Sequence, residues 1–350
     1  MHTIRLTEPQ DGSVTKPLPA FTWDMNRKKI KELSRPAIPK EVIIDWGDNK
    51  TSTEKDYTFP TYIRFVWNFK TAYTDILYNF YLSEEYSFSD ITISKEVSVQ
   101  QYQLKNLKVN TTYYWKVEAV HNNRVVARSP ISSFKTDAAM PRWIEVPNTT
   151  NFRDMGGWPL GNSRVVKQGV LYRCSELNGH IQITEEGKKI LIGNLKIRTD
   201  LDLRGEFEPV SPVLDRNIVN WINIPVLPYD NILKDEQKEN YRRIFTILAD
   251  EKNYPLIFHC WGGCDRGGTL AFLIHALLGV EEKYLFLDYE LSSLSIWGNR
   301  ECSSQFFQSL LKSLKRFGPD KNYRIQSENY LEEIGVSKNK IEKIRKMLTD

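Results

Sequence analysis

The chain has 350 residues, which is enough for two domains, and 41% of its residues are hydrophobic and 26% charged. Its 48 basic and 44 acidic residues leave a net charge of only +4, which gives no reason to expect a nucleic-acid partner or a membrane surface. No apolar run approaches the ~18 residues of a membrane helix, and the four cysteines form no CxxC pair. We therefore expect no integral membrane segment, no metal site and no disulfide scaffold.

The first part of the chain, residues 1–138, has the pattern of an all-β domain. Short runs of aromatic and β-branched residues recur between turn signals at 21–23, 62–67, 76–81 and 113–119. Strands at such intervals are typical of an antiparallel sandwich.

One stretch of this part is more specific. Its spacing resembles the E–F corner of fibronectin type III domains, with Leu107, Thr111, Tyr113, Val117 and Ala119 at the matching positions. In that corner a tyrosine hydroxyl bonds back to the backbone. Val109 stands where the family usually has proline, and residues 27–60 fit poorly, so we interpret them as an insertion or a long loop. The resemblance implies a fibronectin type III-like sandwich, and it leaves a protein or glycan partner of this domain unidentified.

The second part, residues 139–350, alternates strands with helical stretches, which favours an α/β domain with a central sheet flanked by helices. The pattern predicts strands at 197–203 and 255–258 and helices at 235–249 and 270–278. Residues 283–350 are predicted to be mostly helical. One face of a helix there is expected to consist of Phe306, Leu310, Leu311 and Leu314.

The chemistry is concentrated in the run HCWGGCDRGGT at 259–269, directly after an apolar strand. The loop between Cys260 and Arg266 can curl so that its backbone N–H groups point at one centre, because glycines permit the backbone angles that this requires. The following helix adds the partial positive charge of its N-terminus. Such a loop binds a phosphate dianion and stabilises a thiolate, and a guanidinium fork matches two phosphate oxygens.

This HCx5R loop resembles the signature of protein tyrosine phosphatases and their dual-specificity and lipid-phosphatase relatives. The bacterial tyrosine/lipid phosphatase subgroup has the pattern HCxxGKDRTG, and its NFRD, LYR and DLR motifs resemble the runs at 151–157, 171–177 and 200–204. The resemblance covers about residues 145–340. It implies an enzyme without a cofactor in which Cys260 attacks phosphorus and water then hydrolyses a phosphocysteine. It assigns substrate contacts to Trp261, Gly262, Gly263, Cys264 and Gly267.

Two positions depart from the subgroup's pattern. Its lysine is Cys264 here, which removes a second phosphate contact and tells against polyphosphorylated lipids. Its hydroxyl residue after the arginine is Gly267 here, and in the family that hydroxyl helps the sulfur to leave. We therefore predict slow hydrolysis of the phosphoenzyme, unless Thr269 replaces the missing hydroxyl.

The leaving oxygen needs a general acid. The resemblance favours Asp265, next to the loop arginine, and the alternative is Asp230, 30 residues before Cys260, close to where the mobile-loop aspartate of other tyrosine phosphatases lies. The side chains expected to brace the loop are His259, Asp154, Asp202 and Arg204.

Two further residues allow more than one interpretation. Trp261 either lines the mouth of the site, where it would stack on an aromatic substrate, or packs in the core. Cys264 is either a simple replacement or the partner of Cys260 in a reversible disulfide that protects the nucleophile.

The leading functional hypothesis is a phosphomonoesterase acting on a phosphotyrosine protein or a small phosphomonoester. The alternatives are an inositol phosphate or phosphoinositide phosphatase of the same mechanism, and a phosphate-binding pseudophosphatase. A rhodanese-like sulfurtransferase is excluded because the NFRD and DLR motifs do not belong to it. Sandwich domains of this bacterial type are commonly exported, so the expected location is the periplasm or cell surface after loss of a leader, with the cytoplasm as the alternative.

Overall fold

The computed structural model describes residues 3–16, 56–205 and 207–350. The described residues group into two compact units. The first consists of 3–16 with 60–142, and the second of 56–59 with the residues from 143 onward. The strand predicted at 21–23 and most of the insertion predicted at 27–60 lie outside the described residues.

The first unit contains two sheets. Its strands are β1 (Ile4–Glu8), β2 (Ser13–Thr15), β3 (Ile63–Phe69), β4 (Leu77–Ser83), β5 (Ile93–Val97), β6 (Gln101–Leu104), β7 (Thr112–His121), β8 (Arg124–Arg128) and β9 (Ser132–Thr136). One sheet has the order β1-β3-β6, and the other has the order β2-β9-β7-β4-β5 with β8 also paired to β7.

Alternating burial along the strands creates the core of this unit. In β7 every second side chain from Tyr113 to Ala119 is buried, as the period of a strand with one covered face requires. The rings of Phe80, Trp115 and Phe134 each make edge contacts with Phe65, at centroid distances of 4.8, 5.2 and 5.5 Å. The predicted strands at 62–67, 76–81 and 113–119 are present with slightly different ends.

The corner before β7 has the predicted hydrogen bond. The hydroxyl of Tyr113 accepts a bond from the backbone N–H of Lys108 at 3.0 Å. Tyr113 itself is buried, so one side chain both fills the core and fixes the chain that enters the strand.

The second unit combines a mostly parallel sheet, whose edge strand Arg153–Asp154 is antiparallel, with helices. Its strands are β10 (Arg153–Asp154), β11 (Pro159–Gly161), β12 (Arg164–Val165), β13 (Leu171–Cys174), β14 (Thr199–Asp202), β15 (Asn220–Asn223) and β16 (Leu256–His259). Its α-helices are α1 (Glu185–Lys189), α2 (Asp235–Leu248), α3 (Arg266–Leu278), α4 (Glu282–Leu291), α5 (Gln305–Leu314), α6 (Tyr323–Glu333) and α7 (Lys338–Leu348).

The sheet has the order β10-β13-β16-β14-β15, with β16 parallel to both of its neighbours. His259, the last residue of β16, is in register with Cys174 and Asp202, the last residues of β13 and β14. The carboxyl ends of three parallel strands therefore meet at one edge, which is where open α/β sheets bind ligands.

The central strand and the helix after it are buried because they are apolar throughout. All four residues of β16 are buried, as in parallel strands that are covered on both faces. All residues of α3 after Arg266 are buried too, and the helix ends at Gly279 with a left-handed φ of 91°.

The predicted face of α5 is wrong at one position. Leu310 and Leu314 are buried as expected, but Phe306 is 69% exposed and Phe307 takes the buried position. Phe306 instead stacks on the ring of Tyr229 at 5.8 Å. Within the described residues, no helix combines the length and the apolar character needed to cross a membrane.

Candidate active site

The loop that follows β16 runs directly into α3. Cys260 is the first residue after the strand and only 2% exposed, and Arg266 is the first residue of the helix. Gly263 has φ of 68°, and a Cβ there would come within 2.3 Å of the carbonyl oxygen of Cys174. Glycine is therefore required at this position both for the backbone angle and for the close approach of β13.

Three successive carbonyl groups of the loop are bonded from outside it. The Trp261 carbonyl accepts from the amide of Glu176 at 2.7 Å, and the Gly262 carbonyl accepts from Asn151 Nδ2 at 2.9 Å. The Gly263 carbonyl accepts from Nη2 of Arg173. Because the C=O and N–H of a trans peptide point in opposite directions, the amides of residues 262–264 face the inside of the loop.

These inward amides form an anion cradle. Among the described residues, no acceptor bonds to the N–H groups of Gly262, Gly263 or Cys264. The first N–H groups of α3 also lack partners within their helix. A ring of donors at a helix N-terminus is suited to a phosphate dianion.

Arg266 is held by a carboxylate that sequence reasoning missed. Its Nη2 lies 2.8 Å from Glu208 Oε1, and its Nη1 bonds to Glu208 Oε2. Burial lowers the pKa of Arg266, but Glu208 and Cys260 outweigh this and raise it. The pair fixes the plane of the guanidinium, while Nε and the second hydrogens of both Nη atoms remain for a ligand.

Asp265 lies at the rim of the loop, and its carboxylate is held from two sides. Arg300 donates from Nε to Oδ1 at 2.8 Å and from Nη2 to Oδ2 at 3.0 Å. The hydroxyl of Tyr229 donates to Oδ1 and lies 2.8 Å from the hydroxyl of Tyr289. Burial and the charge of Asp265 raise the pKa of Tyr229, so this hydroxyl remains a donor.

Asp230, the alternative acid, has different surroundings. It is exposed and accepts a bond from the hydroxyl of Ser309 on α5 at 3.2 Å. The preceding Tyr229, with φ of 62°, points its ring to Asp265. The Asp265 side chain thus lies at the rim of the loop, whereas the Asp230 side chain contacts α5.

His259 and the strand-end residues form a charged network behind the loop. His259 Nε2 lies 3.0 Å from Asp200 Oδ1, and Asp202 accepts from Arg204 Nη2 at 2.7 Å. Burial lowers the pKa of His259, but Asp202 and Asp200 outweigh this and raise it. Arg204 also donates to the carboxylate of Glu176, and the backbone amide of Glu176 donates to the Trp261 carbonyl. Asp202 and Arg204 are therefore linked to the loop through Glu176.

Asp154 stabilises turns beside the site. Its two carboxylate oxygens accept from the amides of Gly156 at 2.8 Å and Gly169 at 2.7 Å. These bonds fix the chain on either side of the β11–β12 hairpin, directly after β10.

A buried ion cluster, absent from the sequence predictions, supports the same loop. Asp288 on α4 lies 2.8 Å from Arg153 Nε and 2.7 Å from Arg173 Nη1. Burial and Arg153 lower the pKa of Arg173 to about 10. Burial raises the pKa of Asp288, but the two arginines outweigh this and hold it well below its usual range. The cluster orients the guanidinium that bonds to Gly263.

Aromatic side chains line the mouth of the loop. Trp261 is half-buried and stacks on His180 with ring centroids 3.6 Å apart. Trp297 makes an edge contact with Trp261 at 6.3 Å, and a Cβ at Gly262 would lie 2.8 Å from its ring. Trp261 thus packs within a wall of rings and keeps part of its surface exposed.

The two departures from the family's pattern have distinct surroundings. Cys264 is buried, donates to the Gly262 carbonyl at 3.1 Å, and its pKa is raised by burial to about 11. At Gly267 a Cβ would meet Cys260 Sγ at 3.9 Å and nothing closer. The hydroxyl of Thr269, considered above as a replacement, accepts from the amide of Tyr229 at 3.0 Å.

Three residues near the loop were not predicted from the sequence, and the reason is the same for each. Glu208, Arg300 and Asp288 are charged residues far from the loop in sequence, and periodicity carries no signal for such side chains. The signal available for Glu208 was its position four residues after the DLR motif. Within the described part of the chain, no cluster of three histidine, cysteine or carboxylate residues is arranged to hold a metal ion.

A mostly parallel sheet has a central strand that leads through an amide-lined loop into a helix, with a cysteine and an arginine at the two ends of the loop. This α/β arrangement is suited to binding an anion. The sequence pattern of the tyrosine phosphatase family matches residues 144–350. The chain therefore belongs to the tyrosine phosphatase family, and it is a phosphatase.

Individual relatives are more distant. One similar protein, from Cupriavidus necator, carries a name that describes it as a tyrosine-protein phosphatase. It is 24% identical over 193 residues, which make up 48% of this chain and 67% of that protein. The core catalytic domain of the S. cerevisiae PP-IP phosphatase SIW14, solved with citrate, is similar at 18% identity and a TM-score of 0.33, over 53% of this chain and 97% of that one. The fibronectin type-III domain of human fibronectin type III domain containing protein 3 is 25% identical with a TM-score of 0.20, over 22% of this chain and 73% of that domain.

Proposed function

We propose that this phosphatase hydrolyses phosphomonoesters through a phosphocysteine on Cys260. The observation that carries the proposal is the outward bonding of three loop carbonyls, which turns the amides of residues 262–264 inward. A phosphate in this cradle lies between the sulfur of Cys260 and the guanidinium of Arg266. The thiolate forms the S–P bond while the P–O bond to the leaving group breaks, and water then cleaves the S–P bond.

Asp265 is the general acid in this proposal, and Asp230 is the alternative. Contacts of Asp265 with Arg300 and Tyr229 support the choice, because they hold its carboxylate at the rim where the leaving oxygen departs. In the first step Asp265 donates a proton to that oxygen, and in the second it accepts one from water. His259, Asp202, Arg204 and Asp154 orient the surrounding turns.

The aromatic wall of Trp261, His180 and Trp297 supports an aromatic phosphomonoester such as phosphotyrosine as substrate.

The N-terminal part is proposed to be a fibronectin type III-like domain covering 1–138, with the catalytic domain at 139–350. The alternating burial of β7 and the bond from Lys108 to Tyr113 support this assignment. An exported location for the whole protein remains part of the proposal.

The test is an assay with para-nitrophenyl phosphate and a phosphotyrosine peptide, under reducing conditions with EDTA. We expect activity in the wild type and in Cys302→Ser, whose thiol bonds to the Phe286 carbonyl, and none in Cys260→Ser. Activity that persists in Cys260→Ser, or that EDTA removes, would refute the mechanism. Tight vanadate binding without turnover would favour the pseudophosphatase.

A further inference from the structure

A cleft lies at the end of the second unit's sheet that is opposite to the loop at residues 260–266. Val170, Arg198 and Pro255 line it, and each directly precedes a parallel strand, whereas the loop follows the end of β16. The residues of β16 alone span about 13 Å, so the cleft and Cys260 belong to separate surfaces. The cleft has a volume of about 1090 Å³. This exceeds the range of about 300–1,000 Å³ for small-molecule sites, so the cleft has room for a stretch of polypeptide.

The lining of this cleft is strongly basic. Among the described residues that form it, six are basic and two are acidic. This excess of four positive charges equals the net charge of the whole chain. The basic side chains define what we call the basic cleft: Lys167, Arg198, Lys252, Lys340, Lys343 and Lys346.

Within the described part of the chain, none of these six cations forms an ion pair with a carboxylate. Lys340 donates to the hydroxyl of Thr246 at 3.0 Å. Other cations of α7 do have acidic partners: Lys338 lies 3.7 Å from Glu332, and Arg345 pairs with Glu328 and Glu342. The unpaired charges of this helix are therefore the ones that face the cleft.

The two acidic side chains of the lining do not offset this charge. Asp250 accepts from the amide of Lys252 at 3.1 Å and so caps a short turn, and Glu251 is exposed. Like charges gathered on one surface repel each other and attract an anion. A ligand that carries several carboxylates would relieve this repulsion.

Apolar groups lie between the charges. Val170 and Met347 are half-buried, and Ala249 and Tyr254 are buried. The hydroxyl of Tyr254 donates to the Leu248 carbonyl at 2.7 Å, and the buried ring offers no open face on which a nucleic-acid base could stack. A lining of cations and apolar side chains suits a peptide with carboxylates and apolar residues better than a nucleic-acid backbone.

We propose that the basic cleft is a docking site for an acidic segment of a partner protein, in which carboxylates are interspersed with apolar residues. The carboxylates pair with the lysines of α7 and with Arg198, and the apolar side chains contact the floor between them. Because the cleft and Cys260 lie at opposite ends of the sheet, the partner is held without covering the loop. Binding does not depend on turnover, so this inference stands apart from the proposed function.

Fluorescence anisotropy tests the proposal with a labelled peptide in which glutamates alternate with leucines. A peptide of about ten residues spans about 33 Å when extended. We expect saturable binding that weakens as salt is raised. Lys343→Gln combined with Lys346→Gln should raise Kd about tenfold, because two exposed charge pairs are lost. Glu251→Gln, which removes a carboxylate from the lining, should lower Kd.

The matched control combines Lys315→Gln with Lys338→Gln. It removes the same charge from exposed lysines outside the cleft and should leave Kd unchanged. Hydrolysis of para-nitrophenyl phosphate should stay within about twofold in every variant, because the sites are distant from the loop. Saturating inorganic phosphate should not displace the peptide, and Cys260→Ser should bind it as the wild type does.

The proposal is overturned if the wild type does not bind the peptide or if the two lysine pairs weaken binding equally. Equal binding of a peptide with glutamine in place of glutamate would overturn it as well. Displacement by inorganic phosphate would place the peptide at the loop instead of the cleft. Tighter binding of a labelled oligothymidylate, lost in Lys343→Gln with Lys346→Gln, would reject a protein partner in favour of nucleic acid. An inactive wild type that still binds the peptide would refute the proposed function alone.

Discussion

At the scale of single residues, Gly267 provides no side-chain hydroxyl beside Cys260, the proposed nucleophile. A Cβ at this position would lie 3.9 Å from Cys260 Sγ with no closer contact, so a serine hydroxyl would reach the sulfur. It would stabilise the departing thiolate, a charge-assisted bond worth about tenfold in rate. We predict that Gly267→Ser raises kcat about tenfold and diminishes the burst of the wild type in stopped-flow traces.

The neighbouring glycine provides the control. A Cβ at Gly268 would lie 3.2 Å from the ring of Tyr289 and near no sulfur, so Gly268→Ser should leave the burst unchanged or lower activity. A wild-type trace without a burst, or an unchanged one in Gly267→Ser, would contradict the idea that phosphoenzyme hydrolysis is slow.

The sequence was enough to propose roles for Cys260 and Arg266, because that proposal needs only their spacing within one loop after an apolar strand. It did not contain the partners of these residues. Glu208 and Arg300 come next to the loop only when the chain has folded. Glu208 is 58 residues from its partner Arg266, and Arg300 is 35 residues from its partner Asp265. The choice between Asp265 and Asp230 likewise depended on side-chain direction.

At the scale of elements, α4 is joined to β10 and β13 by Asp288. The two arginines outweigh burial and hold the pKa of Asp288 well below its usual range. A depressed folded-state pKa contributes stability that is present above the unfolded value of about 3.9 and is lost as pH falls through the folded value. We predict that Asp288→Asn lowers the free energy of unfolding by about 3–5 kcal/mol near neutral pH, because it leaves Arg153 and Arg173 buried without a counterion.

Urea unfolding between pH 7 and pH 3 tests this prediction. The wild type should lose more stability across the acidic range than Asp288→Asn, so the two curves should converge as pH falls. Glu282→Gln, at the half-buried first position of the same helix, is the matched control and should run parallel to the wild type. Curves for Asp288→Asn that stay parallel to the wild type would show that the carboxylate contributes nothing to the pH dependence.

Elements with strong periodicity were predicted well. The helix predicted at 235–249 is Asp235–Leu248, and the strand predicted at 255–258 is Leu256–His259. The face of α5 was misassigned because Phe306 and Phe307 are adjacent and both fit an apolar pattern. Only packing decides between them, and Phe307 has the rings of Phe272, Phe286 and Tyr289 as neighbours.

At the scale of the whole molecule, the catalytic unit includes residues 56–59, a segment that lies in the chain between strands β2 and β3 of the β-rich unit. The amide of Tyr57 donates to the Leu294 carbonyl at 3.0 Å, and the amide of Asn151 donates to Thr58 Oγ1 at 2.8 Å. Thr58 Oγ1 also donates to Asp56. Asn151 in turn donates to the Gly262 carbonyl, so a chain of hydrogen bonds leads from residue 56 to the loop at residues 260–266. Local sequence patterns give no sign of this, since residues 58 and 151 are 93 positions apart.

The last prediction follows from this connection. Thr58→Val keeps the shape of the side chain but leaves the buried amide of Asn151 without its acceptor, which costs about 1–3 kcal/mol. We expect the melting temperature to fall by about 2–4 °C for each kcal/mol lost, and kcat/KM to fall with it because the Asn151 contact to Gly262 loosens. Thr61→Val, which removes an exposed hydroxyl bonded to the Lys16 carbonyl, should change neither. Equal effects of the two variants on kcat/KM would mean that the segment is packing alone and has no part in shaping the loop.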